Sequence, residues 1–488
     1  MSGPAQGAWR DRLAVAVVAA ALLVASWPRA VGFTTDSDAY LDVAGNLLGG
    51  HGLVQRVVDF WRPGVPDPLG MWPPLYPLAI AALARTGVAL PLAARLVAAL
   101  AFMAFALAIH ALARRAGGRG FALTATLLAL GIPGLAHAGV TAWSETLYLA
   151  LLATALVGAW DVGERGAGVA RAALAGVALG LAADTRYVGV ALLPVVSVLL
   201  LTSGAGRRER LAWLMGVLAP IVPWLVRNFV VFGHALGPAR AAATGSALAA
   251  VTGVARAARW DFLPGALSNA VWSAVPALAA VGLACVWAVR TRGVARWAAW
   301  TAVVQLAIVA VAVASFGINA PEGRLTLVAW PFLMLAVCGA ARAALVRAPQ
   351  AAAAVAGLAV VATAVGVLRG FAALPVPPPD AAVRGRELAG LRALMGTGAG
   401  PVLSDAGHLL RLATDRAAVQ IPPRPYRVRE FTAADESAWR GRGVEEAVFR
   451  AANRGALGDY MAARTAGGAG AWAGVDSAAG FVRFRLSP

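Results

Sequence analysis

Residues 91–113 read PLAARLVAALAFMAFALAIHALA and contain only two ionisable side chains, Arg95 and His110. A helix needs roughly 17–25 predominantly apolar residues to cross the hydrocarbon core of a bilayer, and this run is long enough. The basic sequence RRAGGR follows it at 114–119. Because basic residues accumulate on the cytoplasmic side of membrane proteins, the stretch predicts a transmembrane helix and its orientation.

The whole chain has the composition of a membrane protein. Of its 488 residues, 60% are hydrophobic and 14% are charged, and the mean hydropathy is +0.71. Soluble domains have roughly 45–50% apolar and roughly 25% charged residues, and disordered chains are more polar still, so both classes are excluded. The net charge is +18, and all 42 basic residues are arginine. Most of the excess lies in residues 1–372, which favours a topological cause over nucleic-acid binding.

We predict about eleven transmembrane helices and therefore a mainly α, polytopic membrane protein. The first span could also be a secretory signal, but Trp27-Pro28 stands where cleavage needs small residues, which favours an uncleaved helix. The predicted spans are residues 11–31, 91–113, 120–140, 145–161, 170–184, 187–203, 211–232, 264–289, 296–316, 325–346 and 350–370.

One further apolar stretch, PPLYPLAIAALA at 73–84, is only 12 residues long and contains three prolines, so we predict a re-entrant or interfacial segment. With the N-terminus inside, every cytoplasmic connection is then basic, whereas an additional span here would invert the pattern. The chain is therefore expected in the cytoplasmic membrane with its C-terminal region outside. The arginines of the cytoplasmic connections are Arg10, Arg12, Arg114, Arg115, Arg119, Arg165, Arg171, Arg207, Arg208, Arg210, Arg290, Arg292, Arg296, Arg342 and Arg347.

This topology leaves two large extracytoplasmic regions. The first is the loop at about 33–90, which belongs to a transmembrane module at 1–372. The second is a small α/β domain at 373–488, where the composition becomes that of a soluble protein. Its predicted elements are a strand PVLSD at 401–405, a helix GHLLRLA at 407–413, a longer helix over Asp435–Arg464 and a strand FVRFRL at 481–486.

Few ionisable residues lie at predicted membrane depth, where each costs about 2.5–3.5 kcal/mol. Any one of them could be an interfacial ion pair or an arginine that extends to the surface. Their position on one side of the membrane favours a functional site instead. These residues are Asp36, Asp38, Asp42, Glu145, Asp184, Arg186, Arg227, Glu322 and Arg324.

The first outer loop opens with TDSDAYLDVAGNLLGGHGL at 35–53, in which Asp36 and Asp38 precede an amphipathic helix. Such a helix would lie along the membrane surface, with the carboxylates facing the head group of a lipid-linked substrate. Either aspartate could instead simply cap the helix, and on spacing alone capping is the favoured explanation.

Seven motifs occur in order over most of the chain, and each of them alone is weak. They are DSDAYLDVAGNLLGGHGL from Asp36, PPLYPL from Pro73, SETLY from Ser144, AGVALGLAADTR from Ala175, PWLVRN from Pro223, GRLTLVAWP from Gly323 and VLSDAGHLLRLATDRAAVQIP from Val402. The series resembles the glycosyltransferase C superfamily. Its members are polytopic enzymes that use polyprenyl-phosphate-linked sugars, including protein O-mannosyltransferases and lipid A aminoarabinose transferases.

The resemblance implies a catalytic aspartate that matches Asp36, because Tyr40 stands four residues on as in the family pattern, with Asp38 as the alternate. It also implies a second acid, matching Glu145, and an arginine for the lipid phosphate, matching Arg324.

One position departs from the family pattern. Aminoarabinose transferases have a phosphate-binding lysine before the Pro-Pro pair, where this chain has Trp72. Because the chain has no lysine, phosphate must be bound by arginine, by backbone or by a metal ion. The departure counts against an aminoarabinose-type assignment.

Sugar transfer from a polyprenyl phosphate requires a base near the acceptor hydroxyl and positive charge near the leaving phosphate. An ordinary aspartic acid has a pKa of about 3.9, so it is ionised at neutral pH and can accept the proton. Arginine binds phosphate through paired hydrogen bonds and stays protonated. We therefore expect Asp36 to act as general base and Arg186 and Arg324 to bind the phosphate. Glu145 would orient these groups or bind a metal ion.

Three residues, Tyr40, Arg62 and Arg227, complete the predicted substrate-binding set. Direct displacement would invert the configuration of the anomeric carbon. If Asp36 and Glu145 converge, they would form a site for a hard divalent cation, Mg²⁺ or Mn²⁺, although their spacing does not require one. No other cofactor is predicted.

The predicted partners are a polyprenyl-phosphate-linked sugar donor, a lipid, glycan or protein acceptor, and membrane lipids, with no nucleic acid. Two alternatives remain open: a secondary transporter, and a catalytically inactive protein that binds a lipid-linked glycan. Many transporters have two related halves and helices broken at mid-membrane, and the sequence indicates neither.

Overall fold

The computed structural model describes residues 4–30, 32–59, 67–238, 293–316, 323–347, 379–395, 400–421, 439–441, 443–450 and 472–486, with a few isolated positions between them. The chain forms two compact units, each discontinuous in sequence. The first unit comprises Met1–Gly32, Gly70–Tyr76 and Ala94–Val376, and the second comprises Phe33–Leu69, Pro77–Ala93 and Pro377–Pro488.

Helices dominate the described residues, as the composition predicts. In chain order they are α1 (Pro4–Ser26), α2 (Thr35–Leu48), α3 (Leu75–Ala84), α4 (Leu90–Ala116), α5 (Arg119–Leu130), α6 (Pro133–Val140), α7 (Glu145–Arg165), α8 (Val169–Ala183), α9 (Leu192–Leu201), α10 (Arg207–Phe232), α11 (Val294–Phe316), α12 (Gly323–Leu327), α13 (Trp330–Arg347), α14 (Pro379–Met395) and α15 (Gly407–Thr414).

Five of the described helical segments are long and apolar enough to cross a membrane, and a bent pair would make a sixth. The protein is therefore a multi-pass membrane protein. The predicted count of about eleven is not confirmed. Helices shorter than a full span cover the predicted spans at 170–184, 187–203 and 325–346, and those at 264–289 and 350–370 lie outside the described residues apart from isolated positions. The full-length segments are Trp9–Arg29, Leu90–Ala116, Glu145–Arg165, Arg207–Phe232 and Val294–Ala312.

Two apolar segments show how proline limits helix length. The span predicted at 120–140 is two helices, α5 and α6, with a bend of 71° between them. Proline lacks the N–H that a continuing helix needs, so Pro133 begins a new helix after Gly131. The segment at 73–84 forms the ten-residue α3, which is too short to span, as predicted.

Helices α8 and α10 pack closely because glycines line their contact. A Cβ on Gly176 would lie 2.3 Å from the carbonyl oxygen of Trp213, and one on Gly216 would lie 2.3 Å from that of Ala173. Small residues allow such backbone approach in membrane helices, where van der Waals packing rather than exclusion of water holds helices together. This contact fixes the position of the turn that follows α8.

Several of the connections predicted to be cytoplasmic contact one another and lie at the same end of the first unit. Arg119 Nε lies 2.7 Å from Asp11 Oδ1, which joins the connection at 114–119 to the start of the chain. Arg342 donates to the carbonyl oxygen of Ala116 at 2.9 Å, which adds the end of α13. The last turns of α7 lie at this end, because Asp161 pairs with Arg115 at 2.5 Å. Glu145, at the start of the 21-residue α7, is therefore about 30 Å away, at the opposite end.

The second unit is built on a six-stranded mixed sheet with the strand order β2-β5-β4-β6-β8-β7. The β2, β5, β4 and β6 strands run parallel, and β6, β8 and β7 pair antiparallel. A separate two-stranded sheet joins β1 and β3. The strands are β1 (Val54–Gln55), β2 (Val57–Asp59), β3 (Asp67–Pro68), β4 (Val402–Ser404), β5 (Ala418–Gln420), β6 (Glu446–Arg450), β7 (Trp472–Ala478) and β8 (Phe481–Leu486).

The C-terminal α/β architecture predicted from sequence is present, with one addition. The edge strand β2 comes from the loop predicted at 33–90, and its Val57 pairs with Ala418 of β5. The strand has only three residues, too few for a sequence pattern to reveal.

The helix predicted over Asp435–Arg464 is wrong at its centre, where Glu446–Arg450 is strand β6. The strand lies between β4 and β8, and Ala447 and Val448 are fully buried. Pairing on both sides fixes the extended backbone, so partners distant in sequence override the local helical pattern. The predicted strand at 481–486 is confirmed as β8, and the predicted helix at 407–413 is confirmed within α15.

The carboxylate of Glu446 in this sheet should make the stability of the protein depend on pH. Burial raises the pKa of Glu446, but hydrogen bonds from Arg483, Arg416 and Arg485 outweigh burial and lower the pKa to about 2. A carboxyl group with a lowered pKa stabilises the fold fully at pH values above the ordinary pKa of glutamate. This stabilisation is lost as the pH falls through about 2. Thermal unfolding of Glu446→Gln should therefore show a lower Tm at neutral pH and a weaker dependence on pH below about 4.5. A variant with the same pH dependence as the wild type would contradict this.

Candidate functional site

The first unit contains a buried ion pair between two of the predicted site residues. Glu145 is the first residue of α7, where the helix dipole favours an acid, and its side chain is 1% exposed. Arg186 immediately precedes a 3₁₀ helix, Tyr187–Ala191. Its Nη1 lies 2.7 Å from Glu145 Oε1 and donates to Ser144 Oγ at 3.1 Å. The structure thus brings together Glu145 and Arg186, as a shared role requires.

Two donors beside this pair are buried without a hydrogen-bond partner among the described residues. They are Arg186 Nε and the Tyr148 hydroxyl, and Tyr148 lies within electrostatic reach of Arg186. Unmet donors cost about 1–3 kcal/mol each, and an incoming anion would satisfy them. Tyr148 was not among the predicted site residues. It lies three positions after Glu145 on the same helix face, which is the spacing that could have identified it.

The Tyr187 hydroxyl is the centre of a hydrogen-bond network next to this ion pair. It donates to the carbonyl oxygen of Gly70 at 2.9 Å and accepts from Trp224 Nε1 at 3.1 Å and from Asn228 Nδ2 at 3.0 Å. Gly70 has no room for a side chain, because a Cβ there would lie 2.4 Å from the Phe232 ring. The network fixes the segment before the Pro-Pro pair against the turn that carries Arg186.

Three further arginines are predicted to bind phosphate or sugar, and the structure describes them to different extents. Arg227 is half-buried, lies 4.7 Å over the Trp224 ring and donates to Asn228 Oδ1 at 2.9 Å. Arg324 lies in the short helix α12. Arg62 lies outside the described residues.

In the second unit, the predicted aspartates do not cap the helix that they begin. The N-cap of α2 is Thr34, which forms a reciprocal capping box with Ser37. Capping therefore explains neither Asp36 nor Asp38, although both lie in the first turn, where the helix dipole favours acids. Tyr40, which was predicted to contact substrate, is buried with 4% of its surface exposed.

Asp38 and Asp42 lie one turn apart and each is buried against an arginine of the C-terminal region. Both guanidinium Nη atoms of Arg384 donate to the Asp38 carboxylate. Arg411 Nε donates to Asp42 Oδ1 at 3.1 Å. Burial raises the pKa of Asp38 and of Asp42, and the arginines oppose that rise. Asp36 is half-buried and points about 200° around the helix from Asp38, so it lies on another face.

This arrangement gives the two candidate bases different surroundings. Both Nη atoms of Arg384 occupy the carboxylate oxygens of Asp38, which leaves few of its lone pairs accessible to an acceptor hydroxyl. Asp36 lies outside that ion pair and remains the candidate base.

Replacing Arg384 by glutamine should destabilise the protein, because it leaves the Asp38 charge buried without its guanidinium. The loss of unfolding free energy should be about 3 kcal/mol. Arg386→Gln is the matched control, since Arg386 is an exposed arginine on the same helix. The double variant Asp38→Asn with Arg384→Gln should recover much of the loss in chemical denaturation. Equal stability of the Arg384 and Arg386 variants would contradict the assignment.

Among the residues that the structure describes, no group of three or more His, Cys, Asp or Glu side chains could hold a metal ion. Asp36 and Glu145, the predicted cation ligands, belong to different units. The divalent cation therefore stays a hypothesis.

The structure is similar along its whole length to solved glycosyltransferases. ArnT from Cupriavidus metallidurans bound to undecaprenyl phosphate matches with a TM-score of 0.61 and 17% identity, over 99% of this chain and 100% of that one. The Archaeoglobus fulgidus oligosaccharyltransferase in complex with Zn and sulfate matches with a TM-score of 0.56 and 12% identity, over 92% of this chain and 69% of that one. Arabinofuranosyltransferase AftD from Mycobacteria matches with a TM-score of 0.57 and 17% identity, over 98% of this chain and 42% of that one.

No protein-family model and no curated protein sequence matches the chain. At these identities the structural similarity establishes the fold, which is that of the glycosyltransferase C enzymes. The resemblance inferred from the ordered motifs is confirmed at that level.

Proposed function

We propose that the protein is a membrane glycosyltransferase that moves a sugar from a polyprenyl-phosphate donor to an acceptor hydroxyl on the extracytoplasmic side. The observation that carries the proposal is the buried Glu145–Arg186 pair with its unmet donors. It occurs in a fold whose solved members include ArnT bound to undecaprenyl phosphate. A buried guanidinium N–H and a buried hydroxyl without partners among the described residues favour an anionic ligand, and a lipid phosphate has oxygens to accept from both.

Arg186 is the proposed phosphate ligand of the donor, with Arg324 as a second one. A guanidinium offers a planar fork of donors and remains protonated throughout the reaction, so it can stabilise charge that develops on the departing phosphate. Glu145 holds Arg186 in place from one side, which leaves Nε for the phosphate. Tyr148 provides a further donor beside it.

Asp36 is the proposed general base. It takes the proton of the acceptor hydroxyl while that oxygen attacks the anomeric carbon of the sugar. The bond between the anomeric carbon and the phosphate oxygen breaks, and the polyprenyl phosphate leaves with the electron pair. Attack from the face opposite the phosphate inverts the anomeric configuration. The proposed substrate-binding residues are Tyr40, Arg62 and Arg227. A divalent cation, Mg²⁺ or Mn²⁺, is an optional addition that the carboxylates would bind.

The proposed topology has a cytoplasmic N-terminus and an extracytoplasmic second unit. The basic connections collected at one end of the first unit support it, because Glu145 and Arg186 are at the other end. The acceptor is a hydroxyl of a lipid, a glycan or a protein.

The test is a donor assay with the purified full-length protein in nanodiscs. The protein is incubated with a panel of radiolabelled polyprenyl-phosphate sugars and a membrane extract that supplies acceptors. We expect release of polyprenyl phosphate and transfer of label with at least one donor. Absence of turnover and of donor binding across the panel would overturn the proposal. Counterflow of a labelled solute in liposomes without sugar transfer would assign the protein to the transporters instead.

A further inference from the structure

The end of the first unit opposite Glu145 has a cluster of three arginines around one aspartate. Asp161, near the end of α7, has a side chain only 5% exposed. Arg115 of α4 binds both of its carboxylate oxygens, at 2.7 and 2.5 Å. Arg171 of α8 lies 2.6 Å from Oδ2, and Arg165 lies 3.6 Å from Oδ1. We call these four residues the Asp161 cluster.

The Asp161 cluster has more positive charge than its own fold requires. Arg115 alone can satisfy the carboxylate, because it binds both oxygens and is 13% exposed. The two remaining guanidinium groups leave an excess of two positive charges. Arg165 is 59% exposed and Arg171 is 49% exposed, so both retain donors on the outer side of the cluster.

The surroundings of the cluster add further positive charge. Gly163 lies against Ser203, whose carbonyl oxygen accepts from Arg210 at 3.3 Å, and Arg210 Nε is buried without a partner in the described part of the chain. The nearby acids are the exposed Glu164 on α7 and the half-buried Glu209 in the first turn of α10, and in the described part of the chain the ion pairs of the cluster involve neither of them.

The position of the cluster identifies the depth at which a ligand would bind. The cluster lies where the apolar helices α4 and α7 end and α8 begins. Trp160, next to Asp161, packs edge to face with Trp297 at 5.7 Å. The apolar parts of the helices end here, so the exposed arginines lie at the depth of phospholipid phosphates.

We infer that Arg165 and Arg171 form a binding site for the phosphate of an anionic phospholipid head group. The two half-exposed guanidinium groups share a carboxylate that Arg115 already neutralises, so their remaining positive charge and hydrogen-bond donors can bind a phosphate diester, which carries one negative charge. The lipid acyl chains would lie along α8, whose apolar side chains Val169 and Leu174 are exposed. The inference is independent of the proposed function, because it uses none of the residues assigned to sugar transfer.

The experiment compares the full-length protein in nanodiscs of phosphatidylcholine alone and of phosphatidylcholine mixed with phosphatidylglycerol. Phosphatidylglycerol should raise the Tm of the wild type by about 3 °C, because it binds the folded state only. Arg165→Gln with Arg171→Gln should abolish that rise. Arg207→Gln with Arg208→Gln is the matched control, since it removes two exposed arginines from the first turn of α10, and it should keep the rise.

A second measurement keeps the inference testable if the Arg165/Arg171 variant is less stable in every lipid. Native mass spectrometry should show phosphatidylglycerol retained by the wild type and by the control variant and lost from the cluster variant.

Four results would overturn the inference. They are no lipid-dependent rise in the wild type, equal losses in both double variants, the same rise from inorganic phosphate in phosphatidylcholine discs, and a response to polyglutamate peptide but not to phosphatidylglycerol. The third would assign the site to free phosphate, and the fourth to an acidic protein partner.

Discussion

Replacing Asp36 by asparagine is expected to lower the rate of sugar transfer by about 10³-fold, because a general base typically contributes about 10²- to 10⁴-fold. Asparagine has nearly the same shape but cannot accept the proton of the acceptor hydroxyl. The defect should appear in kcat, with donor binding changed little, because the donor phosphate is assigned to arginines. Transfer is measured with the donor identified in the panel, and donor binding by microscale thermophoresis.

Asp38→Asn provides the contrast within the same turn of α2. Asp38 is held by Arg384, so its loss leaves that guanidinium without its carboxylate partner and should lower stability. We therefore expect Asp36→Asn to lose activity with a Tm close to that of the wild type, and Asp38→Asn to lose Tm. If Asp38→Asn lost activity and Asp36→Asn lost Tm instead, Asp38 would be the base and Asp36 the structural residue. Full activity of Asp36→Asn would show that Asp36 is not the base.

The second large effect is expected from Arg186→Gln, which affects both stability and catalysis. Loss of the guanidinium leaves Glu145 buried beside an uncharged neighbour, which should cost about 3–5 kcal/mol of unfolding free energy. Loss of a preorganised cation at the leaving phosphate should reduce transfer by at least about 10²-fold.

The double variant Glu145→Gln with Arg186→Gln separates these effects. It removes both charges, so no buried carboxylate is left uncompensated, and stability should recover toward that of the wild type. Transfer and donor binding should remain low, because the phosphate ligand is still missing. If the double variant regained transfer, Arg186 would be a structural residue and the phosphate would have to bind elsewhere.

Sequence patterns were sufficient for the features that depend on local composition. The length of the apolar segments predicts a membrane protein. Glu145 and Arg186 are identifiable because ionisable groups at membrane depth cost free energy and mark functional sites. The sequence does not predict that these two residues form an ion pair, because 41 positions separate them and only the close packing of helices sets their distance.

Features that depend on distant pairing could not be predicted. Asp38 accepts from Arg384 across 346 positions, and no spacing rule connects residues that far apart. The same limit explains the error at Glu446–Arg450, where a segment with a helical pattern becomes a central strand. Tyr148 is different, because its helical spacing from Glu145 was visible in the sequence.

The edge strand β2 sets the order in which the second unit can be completed during synthesis. Val57 pairs with Ala418, so the early strand leaves the ribosome 361 residues before its partner. At about 5–20 residues per second, this interval is roughly 20–70 s. During that time β2 has no neighbour from β5, and Asp38 and Asp42 have no arginine partners. Nascent chains that stall before residue 418 should therefore be open to protease in the segment at 33–69, and synthesis of the C-terminal region becomes the step that closes it.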